Sequence, residues 1–166
     1  MLNQKQMAAL DASVRTVQII AFALIMGIIS FFVLLGFLVE WGAVHTDFSL
    51  LANAGLVFGG LTAVMASVIA RLVSRSALQV ALEHLKESGT SPKDELGMRT
   101  LVGVFQTKLI VQYALLESAA FFNGVLFFVD KSIVSLVAGV AVTLMMIALF
   151  PRTSQIHDWV DDILRS

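Results

Sequence analysis

The chain has 166 residues, 58% hydrophobic and 14% charged, with a mean hydropathy of +0.88. Soluble domains run at about 45–50% apolar and about 25% charged, so the composition argues against a soluble enzyme with a polar cleft and points to a membrane. A net charge of −1 offers nothing to nucleic acid, and the absence of cysteine removes disulfides, thiolate metal sites and cysteine nucleophiles.

Four apolar stretches follow in chain order. They are residues 17–39, broken by Gln18 and Ser30; 48–70, carrying Ser49, Asn53, Thr62 and Ser67; 109–129, holding Gln112, Glu117, Ser118 and Asn123; and 133–150, with Ser135 and Thr143. A helix rising about 1.5 Å per residue needs roughly 17–25 residues to cross about 30 Å of hydrocarbon, and all four fit. The first is too long for a signal-peptide core and reads as a retained helix. The expected fold is therefore all-α: an integral membrane four-helix bundle forming a single membrane domain over 1–166, with helices 2 and 3 extended into a cytoplasmic helical hairpin.

Of the eleven Lys and Arg residues, ten lie in the N-terminal arm, the segment 71–108 and the C-terminal tail, and Lys131 is alone on the other side. Lys and Arg stay cytoplasmic during insertion, so both termini and the central segment are expected inside, in a bacterial inner membrane. From Arg71 to Ser88 there is no Gly or Pro, and Leu78, Ala81, Leu82 and Leu85 form an apolar stripe at helical spacing. Gly89 stands where a helix end favours a left-handed residue. Ser91 and Pro92 supply an N-cap and a first-turn proline, with Asp94 and Glu95 favoured by the helix dipole. Residues 71–108 thus form a hairpin that offers itself to a cytoplasmic partner.

The chain ends look amphipathic. Met7, Leu10 and Val14 share one face. In 154–165, Ile156, Trp159, Val160, Ile163 and Leu164 oppose His157, Asp158, Asp161 and Asp162. Acids on the polar face disfavour an anionic lipid surface, so this helix is expected to dock on the hairpin or on a neighbouring subunit. His157 with its aspartates, like His45 and His84, reads as solvated surface and not as a metal site.

Lipid offers no hydrophobic drive for helix pairing, so small residues mark close contacts. Gly55, Gly59, Ala63 and Ser67 are each four apart on helix 2, and Ser135, Gly139 and Thr143 repeat the pattern on helix 4. This seam serves either internal packing or a homo-oligomer interface. Glu117 lies eight residues into the third span, roughly 12 Å deep at about 1.5 Å per residue. An acid near mid-span costs about 2.5–3.5 kcal/mol on insertion scales, which makes such residues rare and commonly functional. With no Lys or Arg in the four spans to hold it ionised, Glu117 is expected neutral. The same depth on the antiparallel helices reaches Thr62 and Thr143, two hydroxyls that suit a carboxyl group.

The stretch 109–122, LIVQYALLESAAFF, resembles the carboxylate-bearing helix of the proteolipid (c) subunits of rotary ATP synthases and vacuolar ATPases. The preceding helix, with Gly55, Gly59, Gly60 and Ala63, is loosely similar to its glycine-rich partner, and the likeness covers 52–129. The resemblance implies that Glu117 carries a transported proton or sodium ion. Two functional readings stay open: a small membrane protein acting by helix packing or partner binding, and an ion-binding or ion-conducting subunit using Glu117. An enzyme is not expected. There is no Ser/His or His/Glu constellation, no paired acid within the spans and no phosphate-cradling glycine loop, so no catalytic residue, metal or cofactor is assigned.

Overall fold

The computed structural model of the chain describes residues 4–91 and 94–154, together with Trp159 and Ile163. The described residues are helical: α1 (Gln4–Leu38), α2 (Leu50–Glu87), α3 (Glu95–Asp130) and α4 (Ile133–Ala148), with a 3-10 turn at Trp41–Ala43. No strand forms among them. Three helical stretches are long and apolar enough to cross a membrane: Val14–Leu38, Leu50–Glu87 and Leu96–Asp130. The fourth helix is apolar but has 16 residues, about 24 Å at 1.5 Å per residue. It is shorter than the stretch 133–150 because Leu149 already leaves helical geometry ahead of Pro151.

Two compact units divide the chain, and α1, α2 and α3 each contribute to both. One comprises residues 1–21, 69–111 and 150–166. Its core is built from Val14, Val17, Ala81, Leu85, Met98, Leu101, Val102, Phe105 and Leu109. Of the expected hairpin stripe, Ala81 and Leu85 are buried whereas Leu82 is 36% exposed. The α2–α3 turn closes as a Schellman motif. Gly89 takes φ +66°, Thr90 donates to the Leu85 carbonyl at 3.0 Å, and Gly89 donates to that of Lys86 at 3.2 Å. Among the described residues α3 runs from Glu95, and ahead of it the Ser91 amide donates to the Asp94 carboxylate at 2.9 Å. Pro92 itself lies outside the described residues. So does the amphipathic pattern of 154–165 apart from Ser154, Trp159 and Ile163, but the Trp159 ring packs 5.2 Å from that of Phe105. A protease should accordingly cut first at Gly89–Ser91 while α2 and α3 on either side stay protected; uniform digestion across 71–108 would show that the helices are not stable there.

The second unit, residues 22–68 and 112–149, has α3 as its hub. Phe31 of α1 packs on Phe121 with ring centroids 4.6 Å apart, and Phe58 of α2 on Phe122 at 4.5 Å. The Tyr113 hydroxyl donates to the Met146 carbonyl of α4 at 2.9 Å, fully buried. A clasp closes one end of this unit. His45 donates its amide to the Lys131 carbonyl at 3.1 Å, and Ile133 donates to the His45 carbonyl at 2.9 Å, making a single parallel bridge. The Ser132 hydroxyl donates to the Asp47 carbonyl at 3.0 Å. Ser49 does double duty: its oxygen caps α2 by accepting the Ala52 amide at 3.0 Å, and its hydroxyl donates to the Asp130 carboxylate.

Candidate functional site

Glu117 is the only charged residue in the unit's helices apart from Asp130 at the end of α3, and no Lys or Arg accompanies it there. Helix α3 carries it on a face whose neighbours Leu116 and Ala120 are fully buried while Ala114 is exposed. The carboxyl group is partly buried and turns toward α1. Its Oε1 lies 3.9 Å from where a Gly27 Cβ would stand, and Gly27 is itself exposed. No described residue hydrogen-bonds the Glu117 carboxyl. About two helical turns further along, Gly124 admits the Phe31 ring so closely that a Cβ would fall 2.5 Å from Phe31 Cε1. The Glu117 notch is therefore framed by a tight α1–α3 contact below it and an open glycine beside it.

Thr62 and Thr143, expected at the depth of Glu117, make no hydrogen bond to it. The Thr143 hydroxyl donates to the Gly139 carbonyl of its own helix at 2.9 Å, and Thr62 is partly buried on α2 with no hydrogen bond to Glu117. Counting residues along antiparallel helices gives height and says nothing of rotation about the axis.

Gly55 and Gly59 are buried, whereas Ala63 and Ser67 are only partly so, and burial passes to Ala52, Ala66 and Ala70. Four residues at about 100° each overshoot a turn by roughly 40°, so a four-residue repeat winds off the contact line within three steps. What the glycines accommodate is Asn123 of α3, completely buried. A Cβ on Gly55 would lie 2.6 Å from its Oδ1, one on Gly59 3.0 Å from its Nδ2, and one on Gly139 3.3 Å from its Cβ. Its Nδ2 donates to the Ala119 carbonyl at 2.9 Å while Oδ1 has no partner. Asn123 escaped the sequence reading as a contact residue; the available signal was a lone amide in a span facing a partner helix with a Gly-x-x-x-Gly pair. Tyr113 likewise went unassigned, although a tyrosine within an apolar helix needs a hydrogen-bond acceptor.

Among the described residues no group of three His, Cys, Asp or Glu side chains is placed to hold a metal ion. No family model, curated protein or solved structure matches the chain.

Proposed function

We propose that this chain is a four-span integral membrane protein of the bacterial inner membrane, with both termini cytoplasmic, that acts by packing against a membrane partner: a second copy of itself or another helix. The observation that carries this reading is the Glu117 carboxyl, which has no hydrogen bond to any described residue and faces an open glycine notch on α1. An unsatisfied polar group in hydrocarbon costs several kcal/mol, and a partner helix supplying a donor removes that cost. The test is the particle's composition in mild detergent and in nanodiscs. Wild type should contain more than one copy or a co-purifying membrane helix, and Glu117→Leu should shed it. A wild-type monomer with no companion would overturn the reading.

The topology is carried by charge. All ten Lys and Arg residues assigned to the cytoplasm fall within segments 1–21, 69–111 and 150–166, and Lys131 alone falls in the other unit. Reporters fused after Ser166 and inserted at Gly89 should be cytoplasmic, and one at His45 external; any other pattern rules out four spans. A cytoplasmic partner for 71–108 is supported by an open apolar groove of about 650 Å³ along α2, between Leu72 and His84, where Leu72 and Val80 are more than half exposed.

A second reading, a proteolipid-like subunit that binds a proton or sodium ion, is favoured by the same lone carboxyl and by the absence of any Lys or Arg from the four apolar segments.

A further inference from the structure

We propose that His45 is a proton-operated latch between the α1–α2 loop and the α3–α4 turn. The geometry of its two ring nitrogens is the reason. Nε2 lies 2.7 Å from the Asp130 carbonyl oxygen. A carbonyl only accepts, so Nε2 must carry hydrogen, and in the neutral ring Nδ1 is left with a lone pair. That nitrogen is shielded from solvent and has no hydrogen-bond partner. The nearest acidic group is the Asp47 carboxylate, with Oδ2 at 4.0 Å. In the neutral state two acceptors therefore face each other across the loop.

Proton uptake reverses this. Nδ1 becomes a donor aimed at a carboxylate, and closing the gap by about 1 Å brings it to the usual 2.7–2.9 Å of a charge-assisted hydrogen bond. Histidine is the side chain whose charge ordinarily changes between pH 5 and 8. The other charged groups at the clasp are already engaged or lie on its rim. Asp130 accepts the Ser49 hydroxyl, and Lys131 Nζ lies 3.7 Å from the Glu40 carboxylate, which is 83% exposed. Carboxyl and ammonium side chains in general titrate outside the interval from pH 5.5 to 8. Asp47 also holds the clasp through its backbone, by accepting the Ser132 hydroxyl. Protonating His45 thus joins Asp47 to the ring whose Nε2 already donates to the Asp130 carbonyl, bracing the loop side of the clasp. The bond exists only in the protonated state, so the clasp is firmer at acidic pH and loosens as pH rises.

Hydrogen–deuterium exchange of the full chain in nanodiscs, corrected for the intrinsic pH dependence of exchange, reads this out at the His45 and Ile133 amides. Protection in wild type should be about two- to five-fold greater at pH 5.5 than at pH 8, the scale of a solvent-edge ion pair. Asp47→Asn should abolish that response. The Asp47 side chain is 89% exposed, so this change disturbs no core contact. His45→Gln, which keeps an N–H donor but does not titrate, should abolish it too. Glu40→Gln should leave it intact. A wild type without the response, an Asp47→Asn chain that retains it, or its loss in Glu40→Gln would each overturn the latch.

Discussion

Gly55→Leu is expected to break the α2–α3 contact, whereas Val57→Leu leaves the fold unchanged. The first added carbon would already meet Asn123 Oδ1 at 2.6 Å and Leu126 Cδ1 at 2.9 Å. Asn123 cannot retreat: it has no exposed surface, its amide is tethered to the Ala119 carbonyl, and Gly59 and Gly139 close on its other sides. Overpacking of a well-filled contact costs about 1–3 kcal/mol and occasionally more. A leucine here falls at the upper end, since α2 must move bodily and lose the close approach that holds membrane helices together. Val57 is 69% exposed, and a change there should stay within about 0.5 kcal/mol. Thermal unfolding in detergent, followed by circular dichroism or by loss of monodispersity, should separate the two variants by more than ten degrees; equal melting would mean that the glycines are not at a contact.

The second large effect concerns Glu117, and it distinguishes the two functional readings. Under partner packing, Glu117→Gln should be nearly silent in assembly, because a neutral acid and an amide both offer a donor and an acceptor. Under ion binding the same variant should assemble normally and lose all proton- or sodium-coupled activity. A hydrophobic carbodiimide reacts with a protonated acid in the apolar phase. The open notch beside Gly27 should let it reach Glu117 in wild type separated from its partner at neutral pH, with no labelling of Glu117→Gln. Protection of that label by sodium supports ion binding, and protection by the assembled partner supports packing. A wild type that is not labelled when monomeric would refute a neutral, accessible carboxyl.

Local signals were the readable ones. Gly89 could be placed at a helix end because a run without Gly or Pro precedes it and a left-handed residue has few substitutes; its φ of +66° and the Leu85–Thr90 bond follow from neighbours in sequence. The apolar stretches were readable for the same reason, since length and composition alone decide whether a helix can cross hydrocarbon. Leu82 belongs to the apolar stripe at helical spacing yet is 36% exposed, because periodicity gives a face and not the width of the contact it makes.

Contacts between distant segments were not readable. Nothing near His45 announces that its ring will lie against the Asp130 carbonyl, 85 residues away, so an isolated histidine was the natural reading. Ser49 gives no sign that its hydroxyl will join the Asp130 carboxylate as well as cap α2. The grouping of Glu117 with Thr62 and Thr143 rested on depth, and depth is shared by every helix in a bundle. Rotation about each axis is set by where Phe31 and Asn123 wedge against glycines, and those fits belong to pairs of helices.

The brevity of α4 bears on which lipids suit the protein. At about 24 Å it falls roughly 6 Å short of an average hydrocarbon layer, and mismatch costs a fraction of a kcal/mol per Å. In the four-span arrangement the acyl chains beside α4 must shorten or tilt, while those beside α1, α2 and α3 meet helix along their whole length. In that arrangement α4 would favour short-tailed or disordered lipids beside it. The protein should be most stable in bilayers of short acyl chains and drift, in a mixed membrane, toward the thinner regions.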